Sequence, residues 1–192
     1  MGFQWKRTDL HWITPSFVRD SSDKPPRMVG SVQHQHVGRL EGQKGDSTVD
    51  RWIFCGMDHV HWGAHGAAGL LIRFVPRIGD AVYLLQLRAY SVDHSGTWGM
   101  PGGAIRDGES AELAARRETE EEIGPLPAIR VTSIEVQDCG GGWKFYVVNA
   151  DVDSPFRAFC VKETEAIGWF TRREMDDLRM HPDFYRWLEE HH

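Results

Sequence analysis

The sequence lacks long apolar runs. Its longest ones are short segments such as residues 67–72, whereas a helix that spans a membrane needs about 18 consecutive apolar residues. The first residues, MGFQWKRTDLHW, also lack the apolar centre of a signal peptide. We therefore expect a cytoplasmic protein that has no membrane partner.

Cysteine is scarce. The three cysteines, Cys55, Cys139 and Cys160, are an odd number without paired spacing, so we expect reduced thiols rather than disulfides. Cys55 begins a C-x3-H-x-H pattern with His59 and His61, which has the residue types of a zinc site. No fourth ligand follows at a suitable spacing, so ordinary turn residues are the preferred interpretation.

An excess of basic residues is also absent. The chain has 22 Lys and Arg against 28 Asp and Glu, which gives a formal net charge of −6. A general nucleic-acid binder normally carries a basic face, so we expect no stable nucleic-acid binding. Phosphate-bearing small molecules remain compatible with this charge, because a bound cation can invert the local field.

The 192 residues fit one domain plus an extension. Residues 1–50 combine scattered large apolar side chains, which follow neither a helix nor a strand period, with a stretch rich in Ser, Pro and Gly. We interpret them as an N-terminal extension and linker without an assigned role. Residues 51–192 are predicted to form the folded domain.

Predicted strands outnumber predicted helices in this domain. A short strand at 52–54 precedes a stretch rich in His and Trp that we expect to be a turn. The pattern indicates an α/β or α+β fold in which a mixed sheet is packed by two or three helices. The remaining predicted strands are 66–76, 81–89, 129–137, 143–152 and 166–170, and the predicted helices cover 111–123, a short segment after 171, and 183–190.

A dense cluster of glutamates lies on the first predicted helix. Glu118, Glu120, Glu121 and Glu122 occupy four of five successive positions. Because a helix turns about 100° per residue, Glu118, Glu121 and Glu122 share one face, and Glu120 points away from them. Three carboxylates on one face are the oxygen ligands that Mg²⁺ or Mn²⁺ prefers. Taken alone, an acidic run of this kind is more often a solvated surface.

The spacing around these glutamates resembles the Nudix box. Residues 103–125 match the family pattern at all of its fixed polar and glycine positions, and depart from it only at two aliphatic positions, Thr119 and Pro125. The matching residues are Gly103, Glu109, Arg117, Glu118, Glu121, Glu122 and Gly124. The resemblance to a bacterial group of Nudix proteins extends over about residues 51–187.

This resemblance implies a Nudix-type α/β/α sandwich with the box as a loop–helix–loop. It also implies a Mg²⁺ cofactor, for which Mn²⁺ could substitute. Carried over by position, the metal ligands would be the carboxylates of Glu118, Glu121 and Glu122 and the backbone carbonyl of Gly102.

The resemblance also assigns catalytic roles. Arg117 would orient the glutamates, and Glu109 would brace the loop against the helix or bind the metal indirectly. Glu118 is the first choice for a general base that is also a ligand, with Glu121 and Glu163 as alternatives. Glu163 is preferred over Glu165 as the glutamate that family members place in a later loop.

Three further residues are candidates for substrate binding. Gly103, in the turn that opens the box, lets the backbone approach phosphate because glycine has no Cβ. Arg88 could contact phosphate, although a solvated strand face explains it equally well. Trp98 could stack on a nucleobase, although packing in the core is the more common role for such a residue.

The implied reaction is hydrolysis of a nucleoside diphosphate linked to another group, with water attacking phosphorus. By elimination we favour a nucleoside triphosphate of the pool-sanitising kind. One alternative is an ADP-ribose or nucleotide-sugar pyrophosphatase, and another is a non-catalytic nucleotide sensor of the same fold. A diphosphate isomerase would need a cysteine near the site, and only Cys139 is available. Many Nudix proteins are dimers, so a homodimer is a further expectation.

Overall fold

The computed structural model describes residues 51–56, 59–161 and 163–191. The extension predicted for residues 1–50 lies outside them. The described strands are β1 (Trp52–Gly56), β2 (His59–Trp62), β3 (Ala67–Phe74), β4 (Val82–Arg88), β5 (Trp98–Gly99), β6 (Gly102–Ala104), β7 (Arg130–Asp138), β8 (Lys144–Asp151) and β9 (Thr164–Thr171). The helices are α1 (Ala111–Ile123), α2 (Arg172–Met175) and α3 (Pro182–His191).

Seven strands form one mixed sheet, in which β5, β4, β3, β8 and β7 are neighbours in that order, β9 pairs with β4, and β6 pairs with β3. The predicted hairpin of β3 and β4 is confirmed, but these strands pair directly only at Arg73–Tyr83 and Phe74–Val82. Beyond those pairs, β4 pairs with β5 instead of β3, and β3 pairs with β6 instead of β4. Residues 98–104 therefore cross the opening between the two strands.

Two cores cover the two faces of this sheet, as the predicted sandwich requires. On one face the small residues Ala114 and Ala115 of α1 pack against aliphatic side chains of β3 and β4 such as Leu70 and Leu84. On the other face Trp187 and its neighbours on α3 pack against the sheet. Full burial of each large apolar side chain contributes about 1.5–3 kcal/mol to the free energy of unfolding. The core that contains Ala114 and Ala115 therefore fixes α1 against the sheet.

Helix α1 begins and ends where its sequence predicts. The Ser110 side chain accepts a hydrogen bond from the Leu113 N–H, and the Gly124 N–H bonds the carbonyl of Glu120. Thr171 and Glu174 form a capping box at the start of α2, the short helix predicted after residue 171. Within the described residues, the helices are too short or too polar to cross a membrane.

The prediction of a turn after residue 54 is wrong. Residues His59–Trp62 form β2, which pairs with β1 in a two-stranded antiparallel sheet. Trp52 lies opposite Trp62, and their rings meet edge to face with centroids 5.3 Å apart. Such cross-strand aromatic pairs stabilise hairpins, which explains why a stretch rich in His and Trp becomes a strand.

The segment that leads into α3 extends the sheet beside β5. The Trp98 N–H donates to the carbonyl of Arg179, and the His181 N–H donates to the carbonyl of Trp98, both at 2.8 Å. The His181 ring meets that of His94 with centroids 4.4 Å apart. Burial, together with the neighbouring His94 and Arg88, lowers the pKa of His181 to about 4, while Asp183 and Asp93 oppose the shift.

This buried histidine predicts a pH dependence of stability. The folded protein keeps His181 neutral down to about pH 4, whereas the unfolded chain binds its proton near the ordinary value of 6.5. The unfolded state therefore binds more protons between these values, and the free energy of unfolding falls as the pH drops from 6.5 towards 4. His181→Gln should flatten this dependence, by on the order of 3 kcal/mol at about 1.4 kcal/mol per pKa unit.

Urea unfolding at several pH values across this range measures the effect. His65→Gln is the matched control, because it makes the same replacement at an exposed histidine. Identical slopes for wild type and His181→Gln would contradict the prediction.

Candidate active site

Two glycines at the opening of the box let β3, β6 and α1 approach one another. Gly102 pairs with Gly69 of β3, and Gly103 pairs with Ala68. A Cβ on Gly102 would lie 2.4 Å from the backbone oxygen of Ala68, and a Cβ on Gly103 would lie 2.6 Å from Oε2 of Glu118. Any other residue at either position would therefore have to displace the strand or the glutamate.

Arg117 ties the box loop to α1. Its Nε and Nη2 donate to the two carboxylate oxygens of Glu109 at 2.9 and 2.8 Å, and Nη2 also donates to the carbonyl of Ala104 at 2.9 Å. Its Nη1 donates to Oε1 of Glu118 at 2.5 Å and lies 3.5 Å from Oε1 of Glu121. This hydrogen bonding raises the pKa of Arg117 and lowers that of Glu109. Both side chains are therefore charged at neutral pH.

The three candidate ligands lie in different environments. Glu121 is the most exposed, with 53% of its side chain accessible and Arg106 Nη2 at 3.5 Å. The Glu118 side chain is 20% exposed, and burial raises its pKa although Arg117 opposes the shift. Glu122 is buried and accepts hydrogen bonds at Oε2 from the Gly102 N–H at 2.8 Å and from Gln86 Nε2 at 2.9 Å. Burial raises its pKa to about 7 against these donors and Arg88.

The donor set fits a hard divalent cation. It consists of oxygens alone, as Mg²⁺ and Mn²⁺ prefer. Glu121 raises the pKa of Glu118, and Glu118 raises that of Glu122, so the carboxylates repel one another in a way that a cation would relieve. In the described part of the chain, no three acidic, His or Cys side chains are already closed around a metal position. Instead, Glu118 and Glu121 both turn towards Arg117.

Two other predicted residues lie close to this cluster. Arg88 is near enough to lower the pKa of Glu122, and its Nε donates to the carbonyl of Asp93 at 2.8 Å. Glu163 is exposed, and its carbonyl accepts from the Ala89 N–H at 3.0 Å. Its neighbour Thr164 contacts Glu122 directly. The start of β9 therefore lies against the end of α1.

Trp98 lies on the other face of the sheet. Its ring packs edge to face on Phe170 with centroids 4.9 Å apart, within the core beneath α3. The structure therefore places Trp98 among packing residues and does not bring it to the carboxylates.

Two residues of the C-x3-H-x-H pattern, Cys55 and His61, serve packing. Cys55 is buried with Trp143, and Cys139 packs against the same cluster. The His61 ring stacks on Trp143 with centroids 4.0 Å apart. The described residues contain no group of three metal-ligating side chains here. Cys139 therefore belongs to the cluster under the β1–β2 hairpin rather than to the glutamates.

Two polar residues at the site were not predicted from the sequence. Gln86 is 1% exposed and Thr164 is 6% exposed, and both contact Glu122. Gln86 carries a usable signal, because it is the single polar residue within the apolar run Leu84–Leu87. A polar side chain inside a buried strand needs a partner, and here that partner is Glu122.

The two glycines predict contrasting results for alanine substitution. Gly102→Ala meets the backbone of β3, which cannot yield, so the free energy of unfolding should fall by about 2 kcal/mol or more. Gly103→Ala meets only the end of the Glu118 side chain, so it should cost less than about 1 kcal/mol while it displaces Glu118 from Arg117.

Urea unfolding of both variants checks this contrast, and Gly108→Ala is the control. A Cβ on Gly108 would meet no atom within 4 Å. Because Gly108 has a φ of 74°, this control measures the cost of backbone strain without a steric clash. Equal losses for the Gly102 and Gly103 variants would show that the close contact with β3 does not govern stability.

Comparisons with known proteins agree with this architecture. The family model of the NUDIX domain matches residues 65–190. A Mycobacterium tuberculosis protein named "Putative 8-oxo-dGTP diphosphatase 3" is 36% identical over 151 residues, which cover 75% of this chain and 68% of the relative. The family-model match spans the seven-stranded sheet and all three helices.

Solved structures show the same fold. The Nudix hydrolase RenU from M. smegmatis superposes with a TM-score of 0.68 at 34% identity, covering 74% of this chain and 92% of RenU. An Ap4A hydrolase from C. elegans superposes with a TM-score of 0.53 at 21% identity, covering 65% of this chain and 93% of that protein. The second likeness concerns the fold alone. The family-model match and the relatives show that this chain belongs to the Nudix family of hydrolases.

Proposed function

We propose that this Nudix hydrolase cleaves a phosphoanhydride bond of a nucleoside triphosphate in a reaction that depends on Mg²⁺. The observation that carries the proposal is the set of three glutamates at the start of β6: Glu118 and Glu121 both contact Arg117, and Glu122 accepts a hydrogen bond from the Gly102 N–H. We propose residues 51–192 as the catalytic domain, of which residues 65–190 match the family model.

The donor set indicates how a cation would be held. The carboxylates of Glu118, Glu121 and Glu122 and the backbone carbonyl of Gly102 would be its protein ligands, with Mn²⁺ as a substitute. A bound divalent cation supplies neutralisation of phosphate charge and lowers the pKa of a coordinated water.

Three ionic residues of the box, Glu109, Arg117 and Glu118, have linked parts in this reaction. Arg117 holds Glu118 next to the void that Gly103 leaves, and Glu109 holds Arg117. Glu118 is the first candidate for general base, because a carboxyl whose pKa burial raises accepts a proton more readily near neutral pH. Glu121 and the exposed Glu163 are the alternatives. Arg88 is the candidate for contact with substrate phosphate.

The preference for a triphosphate has two supports. The sequence lacks the longer signatures of the coenzyme A and NADH branches of the family. In addition, the mycobacterial relative at 36% identity is named for a diphosphatase of 8-oxo-dGTP, which is an oxidised nucleoside triphosphate. We therefore infer a pool-sanitising reaction in which water attacks phosphorus and pyrophosphate leaves.

The ligand assignment predicts a large loss of rate when a carboxylate becomes an amide. Glu121→Gln and Glu122→Gln should each lower kcat by at least about 10²-fold, the scale of a lost proton-transfer or charge contribution. The matched control is Glu120→Gln on the same helix, because Glu120 is exposed and faces away from the other glutamates. Wild-type rates in both ligand variants would refute the assignment.

A substrate panel tests the reaction itself. The protein with Mg²⁺ should release pyrophosphate from 8-oxo-dGTP or another nucleoside triphosphate faster than it releases products from ADP-ribose, nucleotide sugars or dinucleoside polyphosphates. A higher kcat/KM for ADP-ribose, a nucleotide sugar or a dinucleoside polyphosphate would refute the proposed substrate class but not the proposed hydrolysis of a phosphoanhydride. No turnover of any compound, together with thermal stabilisation by a nucleotide, would favour the sensor.

A further inference from the structure

A buried chain of polar side chains leads from β9 through β4 to Glu122. The Thr164 hydroxyl lies 2.6 Å from Oε1 of Gln86, and Gln86 Nε2 donates to Oε2 of Glu122 at 2.9 Å. All three residues are at most 7% exposed. Buried polar groups are costly unless they are paired, so these contacts account for the presence of Gln86 and Thr164 at buried positions of β4 and β9.

A β-bulge brings Thr164 to this position. In the pairing of β4 with β9, Leu87 lies opposite Ala166, but Arg88 lies opposite Thr164, so Glu165 is an extra residue. Side chains alternate along a strand, and without the bulge Glu165 would share the inward face with Ile167. Instead, Thr164 is buried and Glu165 is exposed. Bulges are known to redirect single side chains beside active sites.

The Thr164 hydroxyl determines which end of the Gln86 amide faces Glu122. The hydroxyl has one proton, and its contact with Oε1 of Gln86 is shorter than its 3.2 Å contact with the backbone oxygen of Glu122. Since Oε1 accepts that proton, Nε2 remains for the carboxylate. The reversed amide would place Oε1 against a carboxylate oxygen, and the two acceptors would repel each other.

Gln86 and the Gly102 N–H both donate to the same carboxylate oxygen of Glu122. Oε2 therefore has two donors, whereas Oε1 has no hydrogen bond from any of the described residues. The carboxylate plane is fixed through one oxygen, and the other oxygen is left for a ligand. Hydrogen bonds of this kind commonly orient the side chains that bind metals.

We propose that Gln86 is a positioning residue that holds the Glu122 carboxylate for a divalent cation, and that Thr164 acts through Gln86 by fixing its amide. The inference rests on the proposed role of Glu122 as a metal ligand. Neither Gln86 nor Thr164 contacts the cation or the reacting atoms in this scheme.

The test measures Mn²⁺ binding to the full chain by electron paramagnetic resonance, together with the Mg²⁺ concentration that gives half-maximal rate. Gln86→Leu, which has no donor, should weaken Mn²⁺ binding by about 10- to 100-fold, the usual effect of removing a residue that orients a ligand. It should raise the half-maximal Mg²⁺ concentration in parallel. Gln86→Met is the second variant if leucine prevents folding.

Thr164 separates positioning from simple packing. Thr164→Val keeps the shape but removes the hydroxyl, and it should weaken Mn²⁺ binding by a few-fold. Thr164→Ser restores the hydroxyl and should recover most of the wild-type affinity. The double variant Gln86→Leu with Thr164→Val should bind Mn²⁺ as weakly as Gln86→Leu alone, because Thr164 acts through Gln86.

Thr97→Val is the control for the loss of a buried hydroxyl. Thr97 is 4% exposed, and its hydroxyl donates to the carbonyl of His94 at 2.6 Å. This variant should lower the melting temperature without changing Mn²⁺ affinity. Unchanged Mn²⁺ affinity in a folded Gln86 variant, or independent effects of the Gln86 and Thr164 substitutions, would overturn the inference. Absence of Mn²⁺ binding to the wild type would instead refute the metal assignment in the proposed function.

Discussion

The arrangement of the site depends on the charge of one side chain, Arg117. Its planar guanidinium bonds Glu109 through Nε and Nη2, the Ala104 carbonyl also through Nη2, and Glu118 through Nη1. A lysine could not make these contacts together, because it presents a point charge rather than a rigid fork. This one cation bridges Glu109, which precedes α1, and Glu118 on the helix, and it also reduces their repulsion.

The second requirement is space between β3 and β4. These strands pair at two positions and then diverge, and residues 98–104 fill the opening with a chain that is rich in glycine. The Gly102 N–H thereby reaches Glu122 at the far end of α1. The site therefore combines the ion pairs of Arg117 at the box loop with the Gly102 N–H donor in the sheet. The carboxylates of α1 lie between these two groups.

The sequence predicted the parts of the site that depend on local rules. Ser110 and Gly124 cap the two ends of α1, as capping preferences require. The helical period correctly placed Glu120 at an exposed position on a different face from Glu122. Trp98 and Thr164 could not be placed in this way. The orientation of Trp98 depends on which strand lies beside β5, and that of Thr164 depends on a bulge defined by pairing with β4. Both facts arise only from contacts distant in sequence.

Helix α1 packs on β3, and β3 pairs in parallel with β8, so that Ala68 lies opposite Tyr146. Contacts of such sequence separation form slowly, because loop closure costs entropy before the pairing repays it. The chain from β3 to β8 includes the whole box. Glu122 therefore acquires its partners on β4, β6 and β9 only when the sheet forms beside α1, whereas the contacts of Arg117 with Glu118 and Glu121 are local to the helix. A chain emerging from the ribosome therefore completes its site late in folding.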